Sequence, residues 1–234
     1  MLAGETPARR ARAGQPSWQR SARGGIPTEQ RVLRARGRQT ARRLLAAGRA
    51  EFGERGFHAG RVDDVARAAR TSHGTFYLYF ASKEDLFKAL LRDALHDMTV
   101  ITGEFPAVTR NQAERAALRR WVQRFCDTYT AHAAVIRVLS QADTAGDQAW
   151  IDGLHALFGL AETITTGMTA ARPGGPGQHA ELTALACEIM LERVNYMLSI
   201  GVSLPAQEMA DQLSAIIYAA FQAPYGIPGP GNRQ

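Results

Sequence analysis

Cysteine is nearly absent. The 234 residues contain two, Cys126 and Cys187, and neither belongs to a CxxC pair. That excludes a disulfide framework and a cysteine-rich zinc site. The six histidines, at positions 58, 73, 96, 132, 155 and 179, form no HExxH and no ligand-like cluster, so neither a metal nor a cofactor is expected. GxSxG, P-loop and dinucleotide glycine motifs are missing as well; Gly174 and Gly175 lie in a proline loop. Cys126 and His132, six residues apart, are weak support for a nucleophile and base, and the chain is not expected to be an enzyme. No run approaches about 18 consecutive apolar residues, which excludes a spanning helix. The first 30 residues lack the apolar segment of a signal peptide, so a cytoplasmic location is expected. Period-2 alternation, hairpin turn pairs and internal repeats are absent too.

What is present begins with an uneven charge. Residues 1–50 hold 12 arginines against Glu5 and Glu29, while the other 184 residues carry a net charge of −4. The net charge of +6 therefore describes a basic arm ahead of a mildly acidic body. A block of this kind meets a polyanion such as nucleic acid, or it is a solvated, solubilising tail. Residues 1–33 are rich in Gly, Pro, Ser, Ala and Arg, with few large apolar anchors such as Trp18 and Ile26, and are expected to form a disordered arm.

Helical spacing follows almost throughout. Ala41, Leu45, Gly48 and Phe52 share one face of a helix that runs out at Gly53 to Gly56, and Arg61 to Ala69 forms a short second helix. Thr71 and Ser72 offer a new N-cap, and Ser82 caps another helix with Asp85 closing a capping box. The next helix is expected to start at Thr109, with Leu118, Trp121, Val122, Phe125 and Tyr129 inward, followed by a separate short helix around Ala133 to Ser140. A longer one places Trp150, Leu154, Phe158, Ile164 and Met168 on one face. The proline–glycine run at 172–178 breaks the pattern, and helices over about 179–200 and 205–222 close the protein before an irregular tail at 223–234. The fold class is all-α.

The stretch Arg61 to Leu90, RVDDVARAARTSHGTFYLYFASKEDLFKAL, reads as helix, tight turn, short helix and capped helix. Ala66 and Ala69 let two helices cross closely, as a helix-turn-helix requires. The residues opening the second of those helices, Ser72, His73, Gly74 and Thr75, are then the ones that reach base edges in the major groove. TSHGTFYLYFASKEDLF, with Gly74, Thr75, Phe76, Tyr77, Tyr79, Phe80, Ser82, Lys83, Glu84 and Leu86, resembles the recognition helix and following helix start of the TetR family of bacterial transcriptional regulators. The segment LLAAGRAEFGERGFHAGRVDDVARAAR is similar to that family's first two helices, and the resemblance covers roughly residues 36–95.

The resemblance implies a division into a helix-turn-helix domain over 34–82 and a helical effector-binding and dimerisation domain over 83–222. It implies that Ser72, His73 and Thr75 face bases or phosphates, with Gly74 between them. Tyr77 would give its hydroxyl to a phosphate, Lys83 would bind another, and Tyr79 stands where a histidine is often found. Arg61 is a further phosphate candidate, and Arg36 and Arg38 would lie near the duplex at the start of the first helix. Phe57, Val62, Val65, Phe76 and Phe80 would form the small core. Phe76 and Phe80 read as core on spacing alone, and Tyr77 and Tyr79 taken singly read as packing residues with wet hydroxyls.

In the body, the helix over 179–200 has a narrow polar stripe of Glu181, Glu188, Glu192, Asn195 and Ser199, and most of its remaining circumference is apolar, which suggests burial on two sides. The resemblance places a homodimer interface on the last two helices, paired modules reading a palindromic double-stranded DNA operator. Trp121, Phe125, Tyr129, Trp150, Phe158, Met168, Met190 and Met197 could line a pocket for a small hydrophobic effector, although each is also an ordinary core residue. The expectation is a DNA-binding regulator, a repressor released from its operator by that effector. A nucleoid- or division-associated DNA-binding protein of the same fold is the alternative.

Overall fold

The computed structural model describes residues 35–109, 111–140, 159–171, 180–203 and 205–222. Every regular element in them is a helix: α1 (Ala35–Ala59), α2 (Val62–Ala68), α3 (His73–Tyr79), α4 (Lys83–Gly103), α5 (Gln112–Ser140), α6 (helical residues 159–170), α7 (Ala180–Ser199) and α8 (Ala206–Gln222). The all-α class is therefore observed. Among the described residues, no helix is long and apolar enough to cross a membrane. The expected basic arm and irregular tail, the loop at 172–178, and Trp150 and Phe158 lie outside the described residues.

Two apolar cores organise the chain. The first joins Leu44, Phe52 and Phe57 of α1 to Val65 and Ala66 of α2, Phe76 of α3, Leu86, Phe87 and Leu90 of α4, and Val135 and Val138 of α5. The rings of Phe52, Phe57 and Phe87 meet edge-on or tilted at 5.2–6.3 Å between centroids, the arrangement aromatic quadrupoles favour. The second core takes Ile101 from α4, Trp121, Phe125 and Tyr129 from α5, Ile164 and Met168 from α6, Leu191 from α7 and Ile217 and Phe221 from α8. The expected core of the first module holds: Phe57, Val65, Phe76 and Phe80 are buried, and Val62 packs against them half-buried.

The sequence puts the domain boundary after Ser82, but the cores divide further on, within α4. Leu86 to Ala94 belong to the first core, whereas Met98 and Ile101 belong to the second. One straight helix thus runs from the helix-turn-helix into the body. Helix α1 crosses α4 at Gly48, where a Cβ would stand 2.6 Å from the Leu86 Cδ2. Its regular turns stop at Gly56, whose φ of 76° suits glycine.

Two further expectations are corrected. The separate helix at 133–140 is the last part of α5, because no breaker lies between Tyr129 and Ala133. Helix α5 also starts later than Thr109. Asn111 caps it, its Oδ1 accepting from the Ala113 amide at 2.9 Å, while Glu114 reaches back to the Thr109 amide at 2.7 Å.

Helix α7 reverses the simplest reading of its pattern. Glu188 and Asn195, members of the polar stripe, are 1% and 2% exposed and face the second core. Leu182, Ile189 and Met197 are turned outward at 66%, 49% and 40% exposure, and Ile200 continues the row. Met197 is consequently no wall of an internal pocket.

Candidate nucleic-acid interface

The interface is built by how α2 and α3 end and begin. Helix α2 closes with paired bonds, from the Thr71 amide to the Ala66 carbonyl and from the Arg70 amide to the Arg67 carbonyl, both 3.0 Å. This Schellman closure needs a left-handed residue, and Arg70 occupies it at φ 54°. Ser72 then caps α3, its hydroxyl accepting from the Thr75 amide at 3.1 Å and pairing with the Thr75 hydroxyl at 2.8 Å. Those two hydroxyls satisfy one another and the helix end. Phe76 and Phe80, fully buried, anchor α3 against the first core.

With that face inward, His73, Gly74, Tyr77 and Leu78 face outward. Tyr77 and Leu78 are 36% and 55% exposed. A Cβ on Gly74 would meet nothing closer than 4.0 Å, so a partner can approach the backbone here. The His73 ring packs on the Tyr77 ring at 5.0 Å, and its Nδ1 lies 2.5 Å from the Asp63 carboxylate on α2. Tyr79 is half-buried against the first core. Arg61 caps α2 by position, with an exposed side chain, and its amide donates to Glu51 at 3.3 Å. Arg36 and Arg38 are exposed at the start of α1.

Lys83 sits differently from the sequence expectation. Its Nζ donates to the carbonyls of Phe57 (2.8 Å), His58 (3.2 Å) and Gly60 (3.2 Å) and lies 4.6 Å above the Phe57 ring. An ammonium has three N–H donors, and here all three are engaged by the carbonyl end of α1. Lys83 is a clamp between α4 and α1 rather than an open phosphate ligand. Spacing pointed to the helix start correctly but could not show that the lysine folds back. Asp63, Arg70 and Leu78 were not singled out from the sequence. Asp63 could have been, since it lies ten residues before His73 across a turn.

The family comparison fits this geometry. The model described as "Bacterial regulatory proteins, tetR family" matches residues 44–90, the span from α1 into α4. Over that span the chain resembles the DNA-binding module of TetR-family regulators. The chain is similar to the uncharacterized HTH-type transcriptional regulator YdgC of Bacillus subtilis, 39% identical over 61 residues, 26% of this chain and 31% of that one. It is also similar to the HTH-type transcriptional repressor SCO4008 of Streptomyces coelicolor, 27% identical over 100 residues, 43% and 47% of the two chains. The chain thus spans between about a third and a half of these relatives. Fold likeness reaches further. A putative TetR-family regulator from Mesorhizobium loti superposes with a TM-score of 0.60 at 16% identity, over 81% of this chain and 98% of that one.

The helical body beyond the first core holds the remaining residues expected at a site. Trp121, Phe125 and Met168 are buried among one another and their neighbours, with the Trp121 Nε1 donating to the Ile101 carbonyl at 2.7 Å; Met190 is half-buried beside them. Tyr129 is buried and gives its hydroxyl to Glu192 at 3.2 Å, and both burial and that carboxylate push its ionisation up. Burial, with Glu192 one turn away, lifts the Glu188 carboxyl to about 7. Among the described residues, the Glu188 Oε2 and the Asn195 Oδ1 have no hydrogen-bond partner. A groove of about 480 Å³ opens between α4 and α5, its lining mixed: Val100, Ile101 and Ala131 alternate with Asp97, Arg124 and Asp127. Among the described residues, no group of histidines, cysteines and carboxylates could hold a metal.

Proposed function

We propose that this protein is a DNA-binding transcriptional regulator that places one α3 in the major groove of each half-site of a two-fold-symmetric operator. The observation that carries this reading is the division of α3. Phe76 and Phe80 are locked into the first core, while His73, Gly74, Tyr77 and Leu78 are exposed on the opposite face. Helix-turn-helix proteins read base edges with the first residues of such a helix. Leu78 offers an apolar contact to a thymine methyl, Tyr77 a hydroxyl to a phosphate, and Arg61, Arg36 and Arg38 charge to the backbone. Ser72 and Thr75 shape the helix start, and Lys83 holds the module together behind it.

The row Leu182, Ile189, Met197 and Ile200 along α7 supports homodimerisation through the last two helices, with Ile216 of α8 exposed at 51%. Such a row on a helix whose other face is already buried suits a self-complementary, two-fold interface. An effector acting on the body would be felt at α3 through α4, which enters both cores. The groove between α4 and α5 presents apolar Val100 and Ile101 beside charged Asp97 and Arg124, so the effector site we propose there suits a ligand with both apolar and polar parts. Whether binding lowers or raises transcription is read directly from a reporter fused to the target promoter.

The test is fluorescence anisotropy with the DNA upstream of the protein's own gene against a scrambled duplex, across a salt series. Preferential binding to the native duplex, weakened in Tyr77→Phe, supports operator reading. Absence of binding to any duplex at low salt removes the proposal.

A further inference from the structure

Asp63 is an unexpected residue for a surface that meets phosphates. It is 58% exposed, next to the recognition helix, and its carboxylate is 2.5 Å from the Nδ1 of His73, the first residue of α3. Arg61 and Arg67 share a shallow hollow with Asp63 and Asp64, which offsets the repulsion an acid would otherwise bring to DNA. The contact fixes more than a position. An ionised carboxylate can only accept, so the shared proton belongs to the Nδ1 of His73. In the neutral ring that leaves the Nε2 with a lone pair, an acceptor. The Nε2 has no partner among the described residues, and the ring is 54% exposed. Tyr77, one turn on, lies against the ring at 5.0 Å, so the imidazole is held from two sides.

We propose that His73 reads an exocyclic amino group in the major groove, adenine N6 or cytosine N4, and that Asp63 is the positioning residue that makes His73 an acceptor there. Adenine and cytosine present an amino donor in that groove, whereas guanine and thymine present acceptors to it. The assignment rests on the operator-reading proposal above and adds which base edge one side chain selects.

The experiment is enrichment of random-sequence duplexes by the full-length chain at pH 8, run with wild type, His73→Ala and Asp63→Ala. Wild type should yield a two-fold-symmetric motif with one column per half-site dominated by adenine or cytosine. That column alone should flatten in His73→Ala and weaken in Asp63→Ala, with circular dichroism unchanged, because both side chains are exposed. A duplex carrying a purine without its 6-amino group, or a pyrimidinone without its 4-amino group, should then lose about five-fold in wild-type affinity, the scale of one hydrogen bond. His73→Ala should bind both duplexes equally. A guanine or thymine column, a column indifferent to His73→Ala, or an analogue that costs nothing would overturn the assignment while leaving DNA binding in place. An unchanged column in Asp63→Ala would remove the role of Asp63. Failure of wild type to enrich any sequence would overturn the operator reading and this assignment together.

Discussion

Lys83 offers the clearest test of whether a residue at a helix start serves DNA or the fold. Replacing it by Met keeps the stem and removes the ammonium. Three carbonyls at the end of α1 lose a charged donor, at 2.8, 3.2 and 3.2 Å, and the Phe57 ring loses a cation 4.6 Å away. A hydrogen bond to a charged group contributes about 1.5–3 kcal/mol, and a cation over an aromatic face about 0.5–1 kcal/mol. The three bonds share one ammonium, and water can replace the donor at the outermost carbonyl, so they do not add. The net loss should be about 3 kcal/mol. At about 2–4 °C per kcal/mol for a chain of this size, the melting temperature should drop by about 6–12 °C. Circular dichroism melts measure this, and a salt titration of DNA binding supplies the contrast. Removing a phosphate ligand would lower the slope of log affinity against log salt by about one. A clamp leaves that slope alone. An unchanged melting temperature with a reduced slope would refute the reasoning from geometry and restore Lys83 to the DNA contacts.

The other predictions address separate parts of the chain. Gly48→Ala gains helix propensity but drives a Cβ to 2.6 Å from Leu86, so it should destabilise by about 1–2 kcal/mol in urea unfolding; a neutral result would mean that α1 and α4 can slide apart. Arg70→Gly relieves a left-handed arginine and should stabilise by about 1 kcal/mol, and a loss in the same measurement would show that the arginine side chain anchors the turn. Ile189→Arg, in the middle of the outward row on α7, should turn a dimer into a monomer in light scattering; a dimer that survives would move the interface elsewhere. Glu188 should make stability fall as pH rises from about 4.5 towards about 7, because in that window the unfolded chain has released the proton and the folded chain still holds it. Urea midpoints at pH 5 and pH 8 should therefore lie closer together in Glu188→Gln than in wild type.

The helix-turn-helix was legible because its information is local. Two caps, at Ser72 and Ser82, fix where α3 and α4 begin, and the four-residue spacing of Phe76 and Phe80 fixes which face of α3 is buried. The body was legible as helices but not as a site. Trp121, Phe125 and Met168 have the composition of a pocket wall, yet they fill the space between α5, α6 and α8 themselves. Spacing likewise showed a polar stripe on α7 without showing which way it points. The outcome depends on Cys126, whose sulfur lies 3.5 Å from the Asn195 amide nitrogen, and on Tyr129, whose hydroxyl donates to Glu192, both on a helix more than 60 residues away in sequence.

That inward stripe ties the body to the DNA-reading end. The same turn of α7 that hides Glu188 and Asn195 exposes Leu182, Ile189 and Met197, the row proposed above as the dimer surface. At the C-terminal end of α7, the Ser199 carbonyl accepts from Arg137 at 2.5 Å, and the same guanidinium donates to the Gly53 carbonyl of α1 at 3.0 Å. The guanidinium is a planar fork, so it holds both carbonyls in one plane instead of bridging them loosely. The end of α7 and the first helix of the DNA-binding module are therefore braced through one side chain on α5. If an effector or a partner shifts α7, this brace would pass the shift to α1, and α4, which enters both cores, would pass a shift of the body to the helix-turn-helix. The two links differ in kind, one a hydrogen-bonded brace and the other a continuous helix, and Arg137→Ala would remove the first while leaving the second intact.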